Sequence, residues 1–306
     1  MGGIRERSFT PCYPKPPMLR AFTLFLLLCA PKVGARESWM NPGTMGANAL
    51  PSFPLEAPWV EDYTLVQIGG AAQLGWRGDT SMLPTFRLIT PFGKWAEAIF
   101  EGAAVEAWWS SEQTRREWGL TRTEGLAKAD IRFGFKVVLA DAGNNLPKLA
   151  FRAITKSTTG KDVESRRFVD GPAYLLEVLL GQRMRSPSGL TIDLCTSVGY
   201  WIWQQQESGQ NDALHWAVAL SVQPQQRLNL GLEARGYIGW QLNDKPIVVG
   251  LRAGVLITDF FELVGTFNVG LVDAPRIEGR LDLRFRLPSL VPLLFKNDPL
   301  PPVSSP

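Results

Sequence analysis

Cysteine and histidine are nearly missing from this sequence, with three Cys and one His among 306 residues. A structural zinc centre takes four Cys or His ligands, and with the N-terminal stretch removed only Cys195 and His215 remain, too few for that class of site. Cys12 and Cys29 fall in an N-terminal stretch that is expected to be removed. Cys195 then stands alone, and no internal disulfide can form. A surplus of either charge is missing too. With 32 basic and 29 acidic residues the net charge is +3, which argues against nucleic acid as a partner. After residue 35 no apolar run reaches the roughly 20 residues that a membrane-spanning helix needs.

What is present begins with a leader. "MLRAFTLFLLLCA" starts at Met18, with Arg20 ahead of an apolar run and the small residues of "VGA" at 33–35. This has the parts of a secretory signal peptide cut after Ala35. Residues 1–17 make an unusually long lead-in, so Met18 is the expected start. "LLLC" at 26–29 resembles a lipoprotein signal, but that signal wants a small residue before the Cys and Leu28 is not small. Residues 36–58 follow. They are rich in Pro and Gly and have no period, which predicts an irregular arm.

From residue 59 the sequence alternates. In "GLAKADIRFGFKVVLAD" every second residue from Ala127 to Leu139 is apolar. The other set holds Lys128, Asp130, Arg132 and Lys136. A period of two predicts a β-strand with two unlike faces. It is also longer than the usual strand of about five or six residues. Similar segments precede and follow it, from "TLVQIGGAAQLGW" to "RIEGRLDLRFRL" at 276–287. About twelve strands are predicted, with no helical pattern between them. In "WAEAIFEGAAVEAWW", Glu106 breaks the parity of Glu97 and Glu101, which predicts a bulge near Gly102.

The connections alternate in length. "PFGK", "ADAGNN", "RSPS", "QPQQ" and "DF" are tight. "SSEQTRREWGLTRTE", "STTGKDVESRRFVDG" and "QQQESGQND" are long. A soluble sandwich gives no reason for loop length to follow parity, whereas membrane barrels keep short turns at one end and long loops at the other. Aromatics gather at both predicted ends. Trp76, Trp109, Tyr200, Trp216 and Trp240 fall at the loop end, and Trp59, Tyr63, Phe92, Trp95, Phe260 and Phe285 at the turn end. Girdles of this kind suit the two membrane interfaces.

The fold class expected is therefore all-β: a transmembrane antiparallel up-and-down β-barrel of about 12 strands over 59–287. A Pro/Gly-rich arm precedes it at 36–58, and a Pro-rich tail follows at 288–306. On these patterns the chain resembles Gram-negative outer-membrane β-barrel proteins of the porin-like channel type. Gly279, Leu281, Leu283 and Phe285 loosely resemble their C-terminal assembly signal, although Pro-rich residues follow here. "NPGTMG" at 41–46 faintly resembles an Asn-Pro segment near the start of long-chain fatty-acid channels. The resemblance implies export to the outer membrane. Its expected partners are membrane lipid, the barrel assembly machinery and small solutes, with no cofactor.

If the apolar set meets lipid, the other set lines a lumen. The candidates are Lys128, Asp130, Arg132, Lys136, Arg152, Glu177, Arg183, Asp193, Trp201, Trp203, Glu233, Arg235, Arg252, Glu262, Arg280, Asp282 and Arg284. Glu97, Glu101, Glu106, Lys156, Glu278 and Arg286 share their face. Alternating signs along the last strand suit cross-strand ion pairs. Twelve strands lie between the filled eight-stranded barrel and the open channel of sixteen, so both a salt-bridged interior and a narrow polar path are compatible. On alternation alone, Lys136→Ala should be tolerated far better than Phe133→Arg. His215 faces inward, with Ala217 where a membrane phospholipase of barrel type would need a serine, so no enzyme is expected. The leading reading is a channel or transporter for small or hydrophobic solutes. A structural or assembly barrel and an outer-membrane enzyme stay open as alternatives.

Overall fold

The computed structural model describes residues 54–289, apart from 144–145, 161, 163–171, 206–208, 226 and 240–244. The signal peptide, most of the arm, Trp240 and the tail beyond 289 lie outside the described residues, as does the side chain of Trp203.

Twelve strands close into an antiparallel barrel. They are β1 Tyr63–Leu74, β2 Thr80–Phe92, β3 Ala96–Ala103 continued by Val105–Trp109, and β4 Glu124–Lys128 continued by Ile131–Asp141. They continue as β5 Lys148–Lys156, β6 Ala173–Arg185, β7 Thr191–Gln205 and β8 Gly209–Gln225. The last four are β9 Leu228–Gly239, β10 Ile247–Thr258, β11 Phe261–Val272 and β12 Ile277–Pro288. Each strand pairs with its sequence neighbours, and β1 pairs with β12 from Tyr63↔Pro288 to Leu74↔Ile277, which leaves no free edge. Closure gives each strand a hydrogen-bonding neighbour on both sides, which a hydrocarbon environment demands.

The two faces are sharply unlike. On β6, Ala173, Leu175, Glu177 and Leu179 are at most 1% exposed, while Tyr174, Leu176, Val178 and Leu180 are 42–45% exposed. Phe133, Phe135, Leu194, Val198, Leu251, Phe267 and Leu281 stand outward in the same way. An apolar belt of this extent on a closed barrel is a lipid-facing surface, since in water it would be an aggregation site. Connection length follows parity as expected. The turns near Gly93 and Gly189 are tight, and these two residues adopt φ of +75° and +87°, where only glycine sits without strain.

Two expectations change. The chain does contain a helix, α1 Glu112–Trp118, in the long loop after β3. Seven residues are too few to show a period. Its ends are set by capping instead: the Ser111 side chain accepts from Thr114 N, and Gly119 closes the C-terminus in the left-handed region. Asp79 secures the start by accepting from Ser111 N at 2.8 Å and Thr114 Oγ1 at 2.5 Å. The other change concerns parity. The bulge foreseen near Gly102 lies at Ala104, and β4 is interrupted opposite it at Ala129–Asp130. Both strands exchange their faces there. Ala127 is therefore buried and Leu126 is 70% exposed, the reverse of what an unbroken alternation gives.

Candidate functional site

The interior is a ring of charged side chains held by their neighbours. Strand register decides who meets whom. Arg152 lies opposite both Lys136 and Glu177, and Arg183 lies opposite Asp193. Arg183 holds Asp193 with two bonds, Nε to Oδ1 at 2.8 Å and Nη2 to Oδ2 at 3.0 Å. Lys156 reaches Asp130 at 2.5 Å, Lys136 reaches Glu97 at 2.8 Å, and Arg235 reaches Glu233 at 2.5 Å. Arg280 grips both oxygens of Asp282, at 2.7 and 2.9 Å. Glu262 is shared by Arg286 at 3.4 Å and Arg284 at 3.9 Å, and Arg284 Nε also donates to Gln67 at 2.9 Å. Glu101 takes Arg87 at 2.9 Å and Arg132 at 3.9 Å. Charges taken out of bulk water persist when paired and hydrogen-bonded in this way.

Of the residues expected in the lumen, Lys128 is placed elsewhere. It is exposed, because the break at Ala129–Asp130 turns it to the outer face, opposite Val105. Arg252 lies in the lumen yet makes no ion pair or hydrogen bond among the described residues. Trp201 is buried at 1% exposure and meets Tyr237 edge to face at 5.3 Å, so it packs the interior and offers no open stacking face. Trp59 and Tyr63 leave the expected girdle for the lumen mouth. The guanidinium of Arg183 sits 4.1 Å over Trp59, and that of Arg286 sits 5.3 Å over Tyr63. Trp216 is covered as well, at 9% exposure, while Trp76, Trp95 and Trp109 stand outward at 51%, 58% and 40%.

The segment Pro54–Trp59 lies against this wall, and its backbone is bonded by the wall's charges. Lys136 Nζ donates to the carbonyls of Ala57 and Trp59, at 2.7 and 2.8 Å. Arg152 Nη2 donates to the Pro54 carbonyl at 3.2 Å, and Leu55 N donates to Glu233 at 3.3 Å. Glu56 pairs with Arg87 and lies 3.7 Å from Arg152. Lys136 thus holds both Glu97 and the arm. Its replacement by Ala would orphan a carboxylate that is itself only 4% exposed, a cost that alternation alone does not show.

The lumen has two parts. On one side an apolar band crosses the wall through Ile89, Ile99, Ile154, Leu175, Trp201 and Tyr237. Assigning faces by charge hid it, although Leu175 shares the parity of Glu177. His215 lies beside this band, wholly buried, with Nδ1 3.4 Å from Glu177 Oε2. On the other side is a polar cavity of about 370 Å³, lined by charged and amide side chains from both halves of the chain and by Pro54–Ala57. Its amides were missed because they carry no charge. Gln73 Nε2 donates to Glu278 Oε2 at 2.5 Å, and Asn268 Nδ2 donates to Glu278 Oε1 at 2.7 Å. Among the described residues no three His, Cys, Asp or Glu side chains converge as metal ligands.

No protein-family model and no curated protein sequence matches the chain. Among solved structures it is similar to the COG4313 outer-membrane channel from Pseudomonas putida F1. The identity is 12% over 76% of this chain and 96% of that one, with a TM-score of 0.52. It is also similar to the KdgM porin in complex with disordered oligogalacturonate, at 7% identity over 72% and 98% of the two chains and a TM-score of 0.48. The β domain of the Bordetella autotransporter BrkA has 10% identity over 76% and 100%, with a TM-score of 0.47. At these identities the likeness lies in the fold. A closed twelve-stranded barrel with an apolar exterior and a charged interior, similar in fold to an outer-membrane channel, is the architecture of the porin-like outer-membrane β-barrels.

Proposed function

We propose that the protein is a narrow outer-membrane channel for small polar solutes. In this reading residues 1–35 direct export and are removed. The turn end faces the periplasm, and the N-terminal arm enters the lumen from that side as a plug. The observation that carries the reading is the polar cavity of about 370 Å³, walled by ionised side chains and partly floored by the arm itself. A barrel built only for stability would fill this space with side chains, as eight-stranded barrels do. Ionised linings suit selection of solutes by charge. The arm's contacts support gating, because polar bonds from Lys136, Arg152 and Glu233 hold backbone groups that water can satisfy once the arm withdraws.

Close ion pairing around the ring favours a second reading, a non-transporting structural barrel. Single-channel recording in planar bilayers separates the two. Deleting residues 37–57 should leave a barrel that assembles and passes a larger, less interrupted current than the full protein. An assembled deletion variant with no conductance would remove the channel reading and leave the structural one.

A further inference from the structure

One lumen guanidinium is left over. Every other lumen arginine named above has a carboxylate or amide partner, whereas Arg252 has no ion pair or hydrogen bond among the described residues. It lies mid-strand on β10 and lines the polar cavity. An unpaired cation inside a membrane barrel is costly, and such groups mark ligand or ion paths.

The register shows what surrounds it. One row of residues crosses six strands in the order Ser221, Gly231, Arg252, Thr266, Arg280 and Ala71. All six line the cavity. Small residues dominate this row, so space remains above it. Gly231 has no side chain, and the Arg252 Nε lies only 3.7 Å from where its Cβ would be. Arg252 therefore leans across bare backbone, with its planar donor fork uncommitted. Thr266 beside it carries a hydroxyl. Arg280 beyond it gives two contacts to Asp282 through Nε alone.

The charge balance is local. From this row to the turn ends of β10, β11 and β12, the lumen-facing groups are the guanidiniums of Arg252, Arg280, Arg284 and Arg286 and the carboxylates of Asp282 and Glu262. Both carboxylates are already engaged. A small anion is what this surplus lacks, and a planar two-oxygen group fits an arginine fork in a bidentate manner.

We propose that the Ser221–Arg280 row is a binding site for a small carboxylate solute. Arg252 holds the carboxylate, and Thr266 and Arg280 flank it. That the solute is in transit rests on the channel reading above; the site itself does not.

The test is equilibrium titration of the purified full-length protein in detergent with succinate, using neutral succinamide as the control. Succinate should bind saturably and succinamide should not. Arg252→Gln should weaken binding by roughly tenfold to a hundredfold, the range of a charge-assisted hydrogen bond. Arg252→Lys, which keeps the charge and loses the fork, should fall between. Arg116→Gln, on the exposed face of α1, should bind like the wild type. Both Arg252 variants should keep the wild-type strand content by circular dichroism, because no partner of Arg252 is orphaned. Equal binding by Arg252→Gln, or no succinate binding by the wild type, overturns the site and leaves Arg252 a solvated wall residue. Binding by a barrel that never conducts keeps the site and removes the channel. Conduction without binding does the opposite.

Discussion

Replacing Arg152 with alanine should destabilise the folded barrel by about 3–5 kcal/mol, the usual loss when one member of a buried ion pair is removed. Arg152 is 1% exposed, and its partner Glu177 is equally buried. The arginine bonds Glu177 through Nε, lies 3.7 Å from Glu56 and donates to the Pro54 carbonyl. Alanine would leave Glu177 with only His215 and the neutral groups around it, and would loosen the arm in the same step. The readout is the temperature at which the purified barrel loses its compact, heat-modifiable migration in a gel. The double variant Arg152→Met with Glu177→Leu should recover much of the loss, because an apolar pair of similar volume needs no compensation. A single variant as stable as the wild type would mean that the pair is solvated, and the dry half of the lumen would be wrong.

Phe133→Arg should cost about 2–4 kcal/mol, the penalty for a cation on the lipid face near mid-bilayer. Phe133 is 50% exposed near the middle of the long β4 hairpin arm, between outward Phe100 and inward Arg132. The loss should appear as reduced assembly into lipid vesicles, with unfolded chain accumulating. Phe133→Leu should assemble normally, since it keeps the apolar contact. Normal assembly of the arginine variant would place this face in water.

The two substitutions also show how far the sequence could be read. Phe133 was legible because the strand period is two and lipid tolerates only apolar side chains, so one alternating stretch fixes its outer face. Loop parity then fixed the closed up-and-down order. Lys128 was not legible in the same way. Its face depends on an interruption at Ala129–Asp130 that answers the one at Ala104 on the paired strand. Only the break at β3 left a trace in the charges, through Glu106. The lumen's charged residues were visible by parity. The consequence of Lys136 and Arg152 was not, because each bonds backbone carbonyls of Pro54–Trp59, a segment with no period. The apolar band through Leu175 and Trp201 was equally hidden, because an inward leucine and an outward one look alike until the strand's charged residue sets the parity. Arg252 was one candidate among seventeen in sequence. Its difference lies in partners that only the register supplies.

One face of each strand meets lipid and the other meets the lumen. Spin labels test it most directly. They would be placed singly by Phe133→Cys, Phe135→Cys and Lys136→Cys in a background whose three native cysteines are replaced, with the protein reconstituted in lipid bilayers. Labels at 133 and 135 should collide readily with oxygen dissolved in the bilayer and poorly with a water-soluble nickel chelate, and the label at 136 should not collide readily with oxygen. Labels at 133 and 135 that favour the chelate, with 136 favouring oxygen, would contradict this assignment of faces.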